Sequence, residues 1–131
     1  LMGVAAATLV PSQRARIRGV SWPITAANPT GTPVQMSAWQ DRTVHMFGTW
    51  DSGTIVMQGS NDPRADPAHA SHASAVWSSL RDPGGTVISF TADALSLKAI
   101  LELPKWIRPS SSGGGATHAV SVVINARGDT N

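Results

Sequence analysis

The run HAVSVVINA, residues 118–126, does most to constrain what this chain can become. His118, Val120, Val122, Ile124 and Ala126 share one face of an extended segment, because side chains alternate across a strand with period two. No window of a dozen residues shows the three-and-four recurrence of an amphipathic helix, and Pro or Gly interrupts nearly every segment. A chain of short strands joined by turns is the consequence.

Residues 17–22 alternate before Pro23, and a turn-rich stretch, 27–33, follows. Residues 43–49 and 54–58 flank Trp50-Asp51-Ser52-Gly53, which reads as a hairpin with a short Gly-containing loop. Residues 76–80 and 86–90 flank Arg81-Asp82-Pro83-Gly84-Gly85, strong turn chemistry. Residues 93–103 fit a short helix about as well as a strand. Trp106 and Ile107 open another strand, which Arg108 and Pro109 push to a sheet edge, since proline cannot donate to a ladder. SSSGGGA, residues 110–116, is a flexible loop in composition. The expected architecture is all-β: a single-domain antiparallel β-sandwich of jelly-roll or Greek-key type over residues 17–131, with an extended N-terminal arm over residues 1–16. A length of 131 residues is enough for one core without metal or disulfide support.

Charged residues make up 14% of the chain, well below the usual quarter, so the surface must be rich in small polar and apolar side chains. Such a surface suits a protein packed against others, because interface cores are depleted in charge. The net charge of +2 arises from 10 basic and 8 acidic residues, which leaves no basic patch for bulk nucleic-acid binding. The opening LMGVAAATLV lacks a basic leader region and is too short to span a bilayer. It reads as an arm buried against a partner, with Leu9 and Val10 among its contacts, and the start at Leu1 reads as processing or an incomplete chain. Arg14, Arg16 and Arg18 alternate, so on a strand they share a face, either guarding an edge or meeting an acidic partner surface.

Catalytic signatures are sparse. Absence of cysteine removes disulfides, thiolate metal sites and a cysteine nucleophile. Asp62, Asp66, His69 and His72 lie in one loop, but their spacing matches no tight zinc motif, so no metal and no cofactor is expected. Arg64, Asp66, His69 and His72 are assigned instead to partner contact. There is no Gly-x-Ser-x-Gly elbow, Glu102 is the only glutamate, and Gly113-Gly114-Gly115 lacks the Lys of a phosphate loop. No enzymatic activity is expected. Of the 5 tryptophans, Trp77 and Trp106 read as core, while Trp22, Trp39 and Trp50 lie at strand ends or turns, where an exposed ring can stack on a sugar or fill a neighbour's pocket.

With the strands laid out, GTWDSGTIVMQGSNDP, AVWSSLRDPGGTVISFTA and ILELPKWIRPSSSGGGATHAVSVVI together resemble the capsid cement, or decoration, proteins of tailed double-stranded DNA bacteriophages. The resemblance covers roughly residues 43–127 and rests on the order of elements, not on a catalytic motif. It implies a structural virion protein on the capsid exterior, made in the host cytoplasm, binding the major capsid protein and stapling neighbouring subunits as a homo-oligomer, dimer or trimer, with neither nucleic acid nor membrane as partner. The Gly-Ser-Asn-Asp turn before a Trp strand is also similar to carbohydrate-binding jelly rolls of discoidin type, and a tail or neck component of the virion is a third reading. Residues 63–75 lengthen the join between that turn and the Trp strand, an insertion expected to reach a neighbouring subunit and to order on binding.

Overall fold

The computed structural model describes residues 3–10 and 17–128. Among them lie strands β1 (Val4–Ala5), β2 (Thr8–Val10), β3 (Ile17–Thr25), β4 (Thr30–Gly31), β5 (Val34–Gln35), β6 (Trp39–Thr49), β7 (Thr54–Ser60), β8 (Ser78–Ser79), β9 (Ser89–Phe90), β10 (Leu97–Ala99), β11 (Trp106–Ser112) and β12 (Ala119–Gly128). They form two packed sheets, one ordered β1-β4-β11-β7-β8, with β5 beside β11 and β9 beside β7, the other ordered β10-β6-β12-β3-β2. The chain is a β-sandwich, antiparallel but for the β1–β4 pair.

The alternation of residues 118–126 sets the centre of the second sheet. Val120, Val122, Ile124 and Ala126 are all buried on β12, with His118 buried just before it, and β3 and β6 add Val20, Trp22, Ile24, Val44 and Met46 to the same core face. Ile55, Met57 and Ile107 close the core from the opposite sheet. Residues 93–103 hold β10 and turns, not a helix.

Three local expectations give way to tertiary pairing. The expected hairpin across residues 50–53 is a crossing between sheets: β6 bonds to β10 and β12, while β7 bonds to β11, β8 and β9. β11 is not an edge strand, for it lies between β7 and the short strands β4 and β5. Pro109 is tolerated there because β4 and β5 pair with Ser110, Ile107 and Trp106 only, leaving a gap in the ladder opposite its missing N–H. The arm is the third. Residues 3–10 lie on the sandwich itself, β1 against β4 and β2 against β3, with Ala5 buried in the core. An apolar segment this close to two open sheet edges satisfies its backbone groups there.

The tryptophans also exchange roles. Trp22, expected at a strand end, is fully buried, because β3 runs through Pro23 to Thr25. Trp77 and Trp106, expected in the core, are only half-buried. Trp77 follows the long loop outside any strand, and its ring carries the Arg108 guanidinium 4.0 Å from the centroid.

Candidate interaction surface

The loop that joins β7 to β8 is compact. Asp62 holds its neck: the carboxylate accepts from Arg64 Nη2 at 2.8 Å, from the backbone N–H of Arg64 at 2.9 Å and from that of Val76 at 3.0 Å. Ser60 Oγ donates to the Val76 carbonyl at 2.6 Å and accepts from the Asp62 N–H at 3.0 Å. Two 3-10 turns, Pro63–Ala65 and His72–Ser74, follow, and Ala65 is fully buried. Order in this loop is therefore internal, where the insertion was expected to order on binding.

The side chains assigned there to a partner are used locally. Asp66 Oδ1 accepts from Ala68 N–H at 2.8 Å, His69 Nδ1 accepts from Ser71 N–H at 2.9 Å, and His72 Nδ1 donates to the Arg64 carbonyl at 2.9 Å. Arg18 lies on the core-facing side of β3, half-buried over the Trp39 ring at 5.7 Å. Arg14 and Arg16 fall outside the described residues. Leu9 is 64% exposed at the β2 edge, and the backbone of Val10 pairs with Gly19.

The Arg64 side chain, and then the Val76 and Arg64 N–H groups, hold the Asp62 carboxyl far below its ordinary range. A depressed folded-state pKa gives stability that is present above the unfolded value and lost as pH falls through the folded one. Order in residues 61–76 should thus persist through pH 4 and fail only in stronger acid. Asp62→Ala should remove it at neutral pH, seen as faster amide exchange and proteolysis confined to this loop. Unchanged exchange there would show that the two turns stand without the carboxylate.

Ser111, His118 and Asp51 come together in space, but as a brace. The Asp51 N–H donates to His118 Nδ1 at 3.3 Å, so the ring proton sits on Nε2, which faces Ser111 Oγ at 3.2 Å. A histidine in that tautomer gives a hydrogen bond to the serine and cannot withdraw its proton. A cleft of about 730 Å³ brings Asp62 and Glu102 to one lining. Burial pushes the Glu102 carboxyl up, but the Arg81 N–H and side chain outweigh it and hold the group below its ordinary value. Both carboxyls are thus acceptors, whereas a general acid needs a raised pKa.

The outer face of the five-stranded sheet has a different character. One row crosses all five strands as Thr8, Ser21, Val123, His45 and Leu97; flanking rows hold Pro23, Ser121 and Phe47, and Gly19, Asn125, Thr43 and Ala99. None of these is Asp, Glu, Lys or Arg. At its β10 edge the face gains Leu97 at 59% exposure, Leu95 at 87% and Phe47 at 42%. The display is held in place by Ser96, which is buried with Oγ 2.5 Å from the Met46 carbonyl and 2.6 Å from that of Asp93. Fixing Ser96 inward turns both flanking leucines outward, Leu95 at φ 58, a backbone conformation that disfavours a bulky side chain. Sequence reading missed this patch because LSLKAILEL has the composition of a core segment; the alternation of Leu95 and Leu97 about Ser96 was its only signal.

The tryptophans considered for sugar stacking are engaged. Trp50 Nε1 donates to Asp93 at 2.6 Å and its ring meets His118 edge-on at 5.9 Å, while Trp39 lies under Arg18. Among the described residues no group of three potential metal ligands is present, and no helix is long and apolar enough to cross a membrane. No protein-family model, curated protein or solved structure matches the chain.

Proposed function

We propose that this protein is a non-enzymatic cement subunit that binds the outer surface of a viral capsid and staples neighbouring major capsid subunits in the mature head. The observation that carries the reading is three neighbouring rows of the five-stranded sheet's outer face that hold no charged residue, bordered by the Asp41–Arg127 pair, with Leu95, Leu97 and Phe47 exposed beside them. Large apolar side chains fixed in solvent beside a charge-poor surface mark an interaction site. The order of sequence elements that resembles decoration proteins supports the same reading. Engagement of Trp39 and Trp50 within the fold weighs against a sugar platform.

Magnitude favours an oligomer. Full burial of three such side chains contributes on the order of 5–9 kcal/mol, comparable to the roughly 4–15 kcal/mol cost of association. One patch per molecule is therefore marginal. A dimer or trimer set on a local symmetry axis of the shell presents two or three patches at once and gains affinity without new contacts. Binding the expanded lattice and not the immature one then stabilises the mature head by mass action.

Co-sedimentation with expanded capsids lacking this protein tests the proposal. Wild-type protein should attach, and a Leu95→Ser/Leu97→Ser double variant, with an unchanged melting temperature, should attach at least about tenfold more weakly. Equal attachment by the variant would remove the patch from the interface. Attachment to tails and not to heads would make the protein a tail or neck component, and attachment to neither would overturn the virion reading.

A further inference from the structure

β6 carries a bulge whose consequence is a buried, incompletely paired arginine. Asn125 pairs with Thr43 and Arg127 with Gln40, so two residues of β6, Asp41 and Arg42, stand opposite Ala126 alone. Asp41 sits at φ 47 and pairs outward with Arg127, which turns Arg42 to the core-facing side. Bulges of this kind redirect a side chain, and they gather beside functional sites.

Arg42 is 3% exposed, and its Nη1 has no hydrogen-bond partner among the described residues. Burial holds its pKa below the ordinary value, opposed only in part by the more distant Glu102. Both Glu102 oxygens are already taken, Oε1 by the Arg81 N–H and Oε2 by Arg81 Nε, each at 2.7 Å. A buried cation left this way is costly, since even a paired buried ion is often no better than a hydrophobic replacement. Arg42 lines an open cavity of about 500 Å³ whose other walls are apolar at Ile100, Leu101, Leu103 and Pro83 and polar at Gln40, Thr43 and Asp41, the last with its charge paired to Arg127. Leu101 and Leu103 carry the apolar lining to the surface at 52% and 49% exposure.

We infer that this cavity is a carboxylate-binding site, taking an acidic side chain with an apolar neighbour from the protein surface on which this chain docks. Nη1 is itself covered, so a carboxylate entering the cavity displaces the side chains over it and then supplies the acceptor it lacks, in a charge-assisted hydrogen bond. The apolar walls and exposed leucine rim fit the aliphatic stem and the residue beside it. The source of the carboxylate rests on the proposed capsid function; the site itself does not.

Hexanoate, with hexanol as its uncharged counterpart, is the probe for the isolated protein. Hexanoate should raise the melting temperature of wild type and hexanol should not. Arg42→Met should melt higher than wild type, having lost an unpaired charge, and should bind hexanoate about tenfold more weakly or worse. The gain in stability separates this loss from misfolding. Equal responses to hexanoate and hexanol, or an undiminished hexanoate response in Arg42→Met, would overturn the site.

Attachment to capsids then tests the source, with Arg42→Met weakening it and hexanoate, not hexanol, competing. Hexanoate binding with attachment unaffected by either would overturn a partner's carboxylate as the occupant. Failure of wild type to attach would overturn the capsid reading and leave the hexanoate result standing.

Discussion

Trp22→Ala should lower the unfolding free energy by about 3–5 kcal/mol, the range for removing a large aromatic side chain from a packed core. Trp22 is fully exposed to neither face: its side chain has no solvent contact, and Nε1 donates to the Thr32 carbonyl at 2.9 Å. The substitution therefore opens a cavity between the sheets and removes a hydrogen bond that ties β3 to the segment linking β4 and β5. Equilibrium unfolding in urea, with a lower midpoint and an unchanged slope, measures the loss. Trp77→Ala gives the contrast. Its half-buried ring contributes a cation–π contact to Arg108, and its removal should cost only about 1 kcal/mol. Similar losses at the two positions would mean that the core is not organised around Trp22.

Gly31→Ala should destabilise by about 2–3 kcal/mol, against the usual direction of such a change. Replacing glycine in extended backbone ordinarily stabilises by roughly 0.4–1 kcal/mol through the unfolded chain. Here a Cβ would lie 2.6 Å from Pro109 Cδ and 2.7 Å from Trp22 Cδ1. Both neighbours are rigid rings that cannot bend away as the end of a flexible side chain would, so overpacking wins. Gly84→Ala, where the nearest atom is Asp82 Oδ1 at 3.3 Å, should change stability by less than about 0.5 kcal/mol. Pro109→Ala should recover part of the Gly31→Ala loss in a double-mutant cycle, because the sites are in contact. Strict additivity would show that the pressure comes from elsewhere.

Gly31, Trp22 and Pro109 also mark what was legible in the sequence and what was not. Period-two alternation is a local property, so His118, Val120, Val122, Ile124 and Ala126 announced their shared buried face without knowledge of any partner strand. Frequent Gly and Pro, with no helical recurrence, settled the all-β class for the same reason. The Asp82 turn was equally local: its carboxylate accepts from Gly84 and Thr86 N–H at 2.9 and 3.0 Å.

Which strands pair is a long-range matter. Trp50-Asp51-Ser52-Gly53 serves a hairpin or a crossing between sheets equally well, and only the ladder bonds of β6 to β12 and of β7 to β11 chose the crossing. Pro109 became interior because two short strands from distant sequence left a gap opposite it. The candidate interface divides in the same way. Composition and position alone assign partner contact to Leu9 and to the loop arginine and histidines, and do not foresee the bonds that the loop residues make within the loop, since those join residues whose proximity only the folded loop creates. Leu95, Leu97 and Arg42 were missed outright. Composition makes a leucine a core residue and an arginine a surface one, and here a buried serine and a one-residue bulge reversed both assignments. Sequence by itself determined which faces are apolar and where the chain turns; the tertiary structure decided what each face meets, because that depends on contacts between residues far apart along the chain.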